Sequence, residues 1–155
     1  MTRPRVVLAV LCLGLPLAGC GPSAPPPPPV VTIVVTGSGD QNPDVNGAAA
    51  PVAVRIFQLS ATAKFERADV YALIDHEQQT LGTDDVASEE FVLSPSESRT
   101  VKIEPKPGVS AVGVTALYRD IDHAQWRADA PVASSGPTRL AASIGKLAVT
   151  LKAAP

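Results

Sequence analysis

Few side chains in this chain are of a type and spacing that could do chemistry. The two histidines, His76 and His123, lie far apart, the first on the polar side of a stretch with helical period and the second in a turn. Both read as solvated. No HExxH, GxSxG or Walker sequence is present. Ser, Asp and His all occur, but nothing gathers them into a triad. In DQNPDVNG, residues 40–47, the series Asn42-x-Asp44-x-Asn46-Gly47 has the alternating oxygen donors and the glycine of a calcium loop. Its first donor is neutral, and Ala53 stands where the bidentate glutamate belongs. With one formal negative charge among the ligands, affinity for calcium would be poor. Asn-Pro-Asp and Asn-Gly are more simply turn formers. Asp84, Asp85, Glu89 and Glu90 could supply a carboxylate pair, but read as a solvated segment before a strand. Trp126 is expected in the core and Arg127 in water. These readings predict no catalytic residue, no metal and no cofactor.

The remaining candidates are the thiols, and they depend on the N-terminus. Arg3 and Arg5 precede a ten-residue apolar run, Val6 to Leu15. That run is too short to span a bilayer, which needs about 20 residues, and it fits a signal-peptide core. Pro16 breaks any helix. Leu17-Ala18-Gly19-Cys20 then resembles the lipobox of bacterial lipoproteins. The resemblance implies cleavage before Cys20, a diacylglycerol on its thiol and an acylated amino group. Residues 1–19 are thus the expected leader, and Cys20 carries a covalent lipid. Cys12 leaves with the leader, so the mature domain has neither disulfide nor thiol nucleophile. Gly21, which is not aspartate, favours the outer membrane by the same resemblance. Two or three acyl chains would hold the protein almost permanently, at about 0.8 kcal/mol per buried CH₂.

Residues 20–29 are a tether. Pro25 to Pro29 favour an extended polyproline rod, and at about 3.1 Å per residue the nine residues 21–29 reach roughly 28 Å. The rest, 30–155, is long enough for one domain without disulfides. The chain holds 13 Lys and Arg against 15 Asp and Glu; without Arg3 and Arg5 the basic count is 11, a net charge of −4. No basic surface suited to nucleic acid is expected. Apolar residues are 45% and aromatics 4%, so aliphatic side chains must build the core.

Period-two patterning begins at Val30–Thr36 and returns at Val52–Leu59. The intervening segment, residues 37–51, is too long for a tight hairpin, a length at which loops are often functional. Residues 62–79 switch to a helical period, with Phe65, Ala68, Ala72 and Leu73 on one face and Thr62 or Ser60 as cap; Leu81-Gly82 ends the unit. Strands are predicted again over 90–93, 99–104, 111–118, 124–132 and 146–152. Turn signals separate them, including Ser134-Ser135-Gly136-Pro137. The pattern predicts a mainly β protein, an antiparallel two-sheet sandwich with a small helical insertion.

An ordered set of pieces now points to a family: Asn42-Pro43-Asp44, Pro51 to Leu59, Phe65-Glu66-Arg67-Ala68-Asp69, Leu81-Gly82, Leu93-Ser94-Pro95, Val112 to Asp120 and Trp126-Arg127. Behind a lipobox, this set resembles the type VI secretion lipoprotein family, TssJ or SciN. The resemblance implies a transthyretin-like sandwich anchored in the outer membrane and facing the periplasm. It implies binding of the C-terminal periplasmic part of the inner-membrane protein TssM, with TssL in the same complex. In the family the loop between the first two strands is implicated in that contact. Here it comprises Gly37, Ser38, Gly39, Asp40, Gln41, Asn42, Pro43, Asp44, Val45, Asn46 and Gly47, running on to Pro51. A transthyretin-like carrier of a small apolar ligand is the alternative. It would need a concave apolar pocket, and only three Phe, two Tyr and one Trp are available to line one.

Overall fold

The computed structural model describes residues 24–155; Cys20 and the leader lie outside the described residues. Eight strands form two four-stranded sheets. They are β1 (Val30–Gly37), β2 (Val52–Leu59), β3 (Asp85–Leu93), β4 (Ser98–Ile103), β5 (Ala111–Ala116), β6 (Arg127–Pro131), β7 (Pro137–Ile144) and β8 (Val149–Ala153). Sheet A has the order β4-β1-β7-β8 and sheet B the order β3-β2-β5-β6. The two-sheet sandwich expected from the sequence is therefore present.

The β-branched run of β1 makes it a strand, and its period places it. Val31, Ile33 and Val35 are fully buried, while Thr32, Val34 and Thr36 point away from sheet B. Val54, Ile56, Val112, Val114, Leu140, Ile144 and Val149 close the interior from the other strands. Every pairing between these strands is antiparallel except one: β1 and β7 run parallel, from Val30 opposite Pro137 to Gly37 opposite Ile144. The sequence reading has no strand here. It ends a turn at Pro137, which instead opens β7, and Thr138, Leu140, Ala142 and Ile144 alternate behind it. The strand expected over 124–132 is shorter than predicted: it runs from Arg127 to Pro131, and before it Gln125 makes only an isolated bridge to Ala148.

The helical insertion is three short helices rather than one: α1 (Ala63–Arg67), α2 (Val70–Asp75) and α3 (Glu77–Leu81). Ala68 is extended, with ψ 148°, and Asp69 starts afresh by accepting the Ala72 N–H at 2.9 Å. Thr62 does hold the N-cap position of α1, but its hydroxyl bonds Glu66 and not the backbone. Helices of five and six residues are not stable alone. These are held by a second apolar cluster on the outer face of sheet B, made of Phe57, Leu59, Phe65, Leu73, Leu81 and Ala111. The Phe57 and Phe65 rings meet at 5.3 Å. The far end of the Phe65 ring packs close against the backbone of β5 at Gly113. A Cβ on Gly113 would come within 2.7 Å of that ring, so no larger residue fits there.

Arg127 does not face water as predicted. Its Nη1 donates to the carbonyls of Phe65 (2.9 Å) and Ala68, and its guanidinium stacks on Trp126 at 4.6 Å. It thereby satisfies carbonyls that α1 leaves open at its C-terminal end. Burial lowers the Arg127 pKa and raises that of Asp129 beside it. Trp126 itself is half-buried and touches both apolar clusters. Among the described residues, no helix is long and apolar enough to cross a membrane.

Candidate partner-binding loop

Residues 38–51 leave the end of β1 and return into β2 in the other sheet. The base of this loop is stitched to its surroundings. Gly37 N donates to Glu97 O and Ser38 N to Ile144 O, both at 2.9 Å. Gln41 is fully buried, and its Nε2 donates to Leu93 O at 2.8 Å and to Ala50 O at 3.4 Å. That placement dictates the residue before it. A Cβ on Gly37 would sit 2.1 Å from Gln41 Oε1, so β1 must end in glycine. Asn42, 3% exposed, holds a left-handed φ of 44° that asparagine tolerates better than most residues. Its Nδ2 donates to Pro51 O at 2.7 Å, and its Oδ1 accepts the Arg119 N–H at 2.8 Å.

The calcium-like alternation is thereby explained differently. Asn42 spends its amide on the loop's own closure. Asp44 Oδ1 accepts the N–H groups of Asn46 (2.8 Å) and Ala48 (2.9 Å), which builds the turn at the tip. Beyond this base the tip is free. Val45 is 99% exposed, an apolar side chain held out in water by a rigid support. Beside it lies an open cleft of about 390 Å³ lined by Pro43, Asp44, Val45, Arg119, Asp120 and Leu147. Asp120 of that lining also bonds His123 at 2.7 Å, and the carboxylate raises the His123 pKa.

The candidate loop thus divides. Gly37, Gln41 and Asn42 are structural, whereas Pro43, Asp44, Val45, Asn46 and Gly47 form the displayed part. Ser38, Gly39 and Asp40 lie between, where Ser38 Oγ donates to Asp40 Oδ1 at 2.6 Å. Arg119 and Leu147 join the site across the fold, and only tertiary structure could bring them there. The carboxylates suspected at 84–90 disperse: Asp84 pairs with Lys64 (3.1 Å) and Glu90 with Arg55 (2.7 Å). Asp85 faces Glu77, and burial beside that carboxylate raises its pKa to about 6. His76 caps α2, exposed and far from these groups in role.

The other end of β1 holds the tether. Pro27 O accepts the Gly136 N–H at 3.0 Å, and Val30 N donates to Gly136 O at 3.0 Å. The proline segment is therefore fixed to the domain from Pro27 onward. The architecture is that of a β-sandwich module with a proline leash at one pole and a displayed loop at the other. Residues 29–153 match the family model T6SS-SciN, the type VI secretion lipoproteins that include VasD, EvfM and TssJ, and the chain belongs to that family. It is similar to the T6SS lipoprotein TssJ1 from Pseudomonas aeruginosa, with a TM-score of 0.80 and 36% identity over 83% of this chain and 98% of that one. It shares its fold with Serratia marcescens Lip, a membrane bound component of the type VI secretion system (TM-score 0.74, 21% identity, 81% and 96% coverage). A chain from a structure of the type VI membrane complex also has this fold (0.66, 23%, 83% and 99%). No curated protein matches. The chain is a lipoprotein component of the type VI secretion system, and the family is one of structural components of that machine.

Proposed function

We propose that lipidated Cys20 fixes this chain in the outer membrane, facing the periplasm, and that the tip of the 38–51 loop grips the C-terminal periplasmic domain of TssM. TssL enters the same complex through TssM. One observation carries the reading: tether and loop leave opposite ends of the same strand. Eight residues of β1 separate them by about 26 Å, so a chain anchored at Pro27 presents Val45 away from the bilayer. A rigid loop base supports binding, because little order is lost when the tip docks. A chain of this fold also occurs in a structure described as the TssM C-terminal domain from EAEC, at 22% identity.

The test is pull-down and calorimetry with a purified periplasmic TssM fragment. Wild type should form a one-to-one complex. Val45→Glu combined with Asn46→Arg should abolish it while leaving thermal unfolding unchanged, because both side chains are exposed. Deleting the whole loop would be a poorer test, since it removes the buried Gln41 and Asn42. Full binding by the double variant would move the interface elsewhere. Mass spectrometry of the native protein should find Cys20 acylated, and a bare thiol there would refute the anchor.

A further inference from the structure

Charge is divided between the two sheets. The strands of sheet A carry Arg99, Lys102, Arg139 and Lys152 and no carboxylate at all. Those of sheet B carry Asp85, Glu89, Glu90 and Asp129 against Arg55 and Arg127. The insertion adds Glu66, Asp69, Asp75, Glu77 and Asp84 on the sheet B side, against Lys64 and Arg67. The chain is acidic, yet one face of it is basic.

That face is also bare. The insertion covers the outside of sheet B, and among the described residues no helix packs extensively on sheet A. The register lays its outward residues in rows. Val30 and Pro137 lie nearest the tether, with exposed Glu104 two residues beyond Lys102; Lys102, Thr32 and Arg139 form the next row, Thr100, Val34, Ala141 and Lys152 the one after, and Ser98, Thr36, Ser143 and Thr150 the last, nearest the loop. Apart from the three cations and Glu104, no side chain in these rows is larger than valine, so the surface is flat and the cations project beyond it. Lys102, Arg139 and Lys152 are exposed, and none of them forms an ion pair among the described residues, although Lys102 shares a shallow cleft with Glu89 and Glu104. Arg99 turns aside to stack on Phe91 at 4.3 Å.

We propose that the tether-side rows of this face rest on anionic lipid headgroups. Lys102, Arg139 and Lys152 would meet headgroup phosphates, which complement them in charge and suit Arg and Lys as donors. The tether supports the assignment, because it runs directly into β1, the strand that carries Thr32 and Val34. Contact through the tether-side rows leans the domain on the bilayer and leaves the loop pole clear. A cation held within a Debye length of an anionic leaflet strengthens attachment about fivefold, and three strengthen it about a hundredfold at low salt.

The inference rests on the lipid anchor proposed above, and the two are read separately. Flotation of the acylated mature chain with neutral phosphatidylcholine vesicles reports the anchor. Amine labelling of the same vesicle-bound chain, read by peptide mass spectrometry, reports the face. On vesicles containing phosphatidylglycerol, Lys102 and Lys152 should label about fivefold more slowly than on neutral vesicles. High salt should abolish the difference, and Lys64 on the insertion should keep its rate. Equal rates on both vesicles, or equal slowing at Lys64, would overturn the proposal. Slowing to the same extent by inorganic phosphate without vesicles would assign a free anion instead of a membrane and overturn it too.

Discussion

Asp85→Asn should stabilise the domain at neutral pH and leave it unchanged in acid. Asp85 opens β3, where its Oδ1 is buried without a hydrogen-bond partner and its carboxyl faces Glu77. Burial first, and then the neighbouring carboxylate, raise its pKa from 3.8 to about 6, against the pull of Arg55 and Lys106. The folded state therefore holds this proton more tightly than the unfolded chain. The stability it contributes is fully present below pH 3.8, falls as the pH rises through about 6, and is absent above that. A shift of that size corresponds to about 3 kcal/mol. Much of the residue remains in contact with water, which screens the repulsion, so about 1 kcal/mol is the expected cost of ionised Asp85. Asparagine keeps the shape, removes the charge and gives Glu77 a donor. Urea denaturation of both proteins from pH 4 to pH 8 should show curves that coincide in acid and separate by about 1 kcal/mol above pH 7. That gap is about 4 °C in Tm for a domain of this size. A difference that does not vary with pH, or a loss of stability at pH 8, would refute the argument.

Three further substitutions test the packing. Asn42→Ala removes the bonds to Pro51 O and from Arg119 N, and puts alanine at a left-handed φ; it should cost about 1–3 kcal/mol, and hydrogen exchange should rise first at the Arg119 amide. Gly113→Ala should force Phe65 off β5 at a cost of about 1–3 kcal/mol, so that limited proteolysis cuts the insertion before the sandwich unfolds; an unchanged cleavage pattern would contradict the close packing. Arg127→Met leaves the Phe65 and Ala68 carbonyls without their charged donor and should cost about 1–3 kcal/mol, with Trp126 fluorescence shifting to the red as the insertion loosens.

The sequence shows β1 and β2 because both bury one full alternating face under β-branched side chains. It hides β7, where Pro137 and small residues between Leu140 and Ile144 mimic a continuation of the Ser-Gly-Pro turn. The parallel partnership with β1, which lies more than a hundred residues earlier, leaves no local mark. The insertion shows its helical period but not its breaks, since Phe65 and Leu73 face the same sheet from two helices. Asp69, three residues before the amide it caps, is the readable sign of the restart. The loop was legible by length and composition. Its division into base and tip was not, because Gln41 and Asn42 are polar residues buried only through bonds to Leu93, Pro51 and Arg119. Arg127 misled for a similar reason, since the carbonyls it serves belong to a helix about sixty residues away.

The position of β1 has a mechanical consequence. It is an interior strand, zipped along its length to β4 on one side and to β7 on the other. Tension applied between the leash at its start and a cargo held beyond its end acts lengthwise. The rungs on both flanks then strain together in shear, and none can be peeled away one at a time. A contractile machine that recoils against its mooring would meet the fold along its strongest axis.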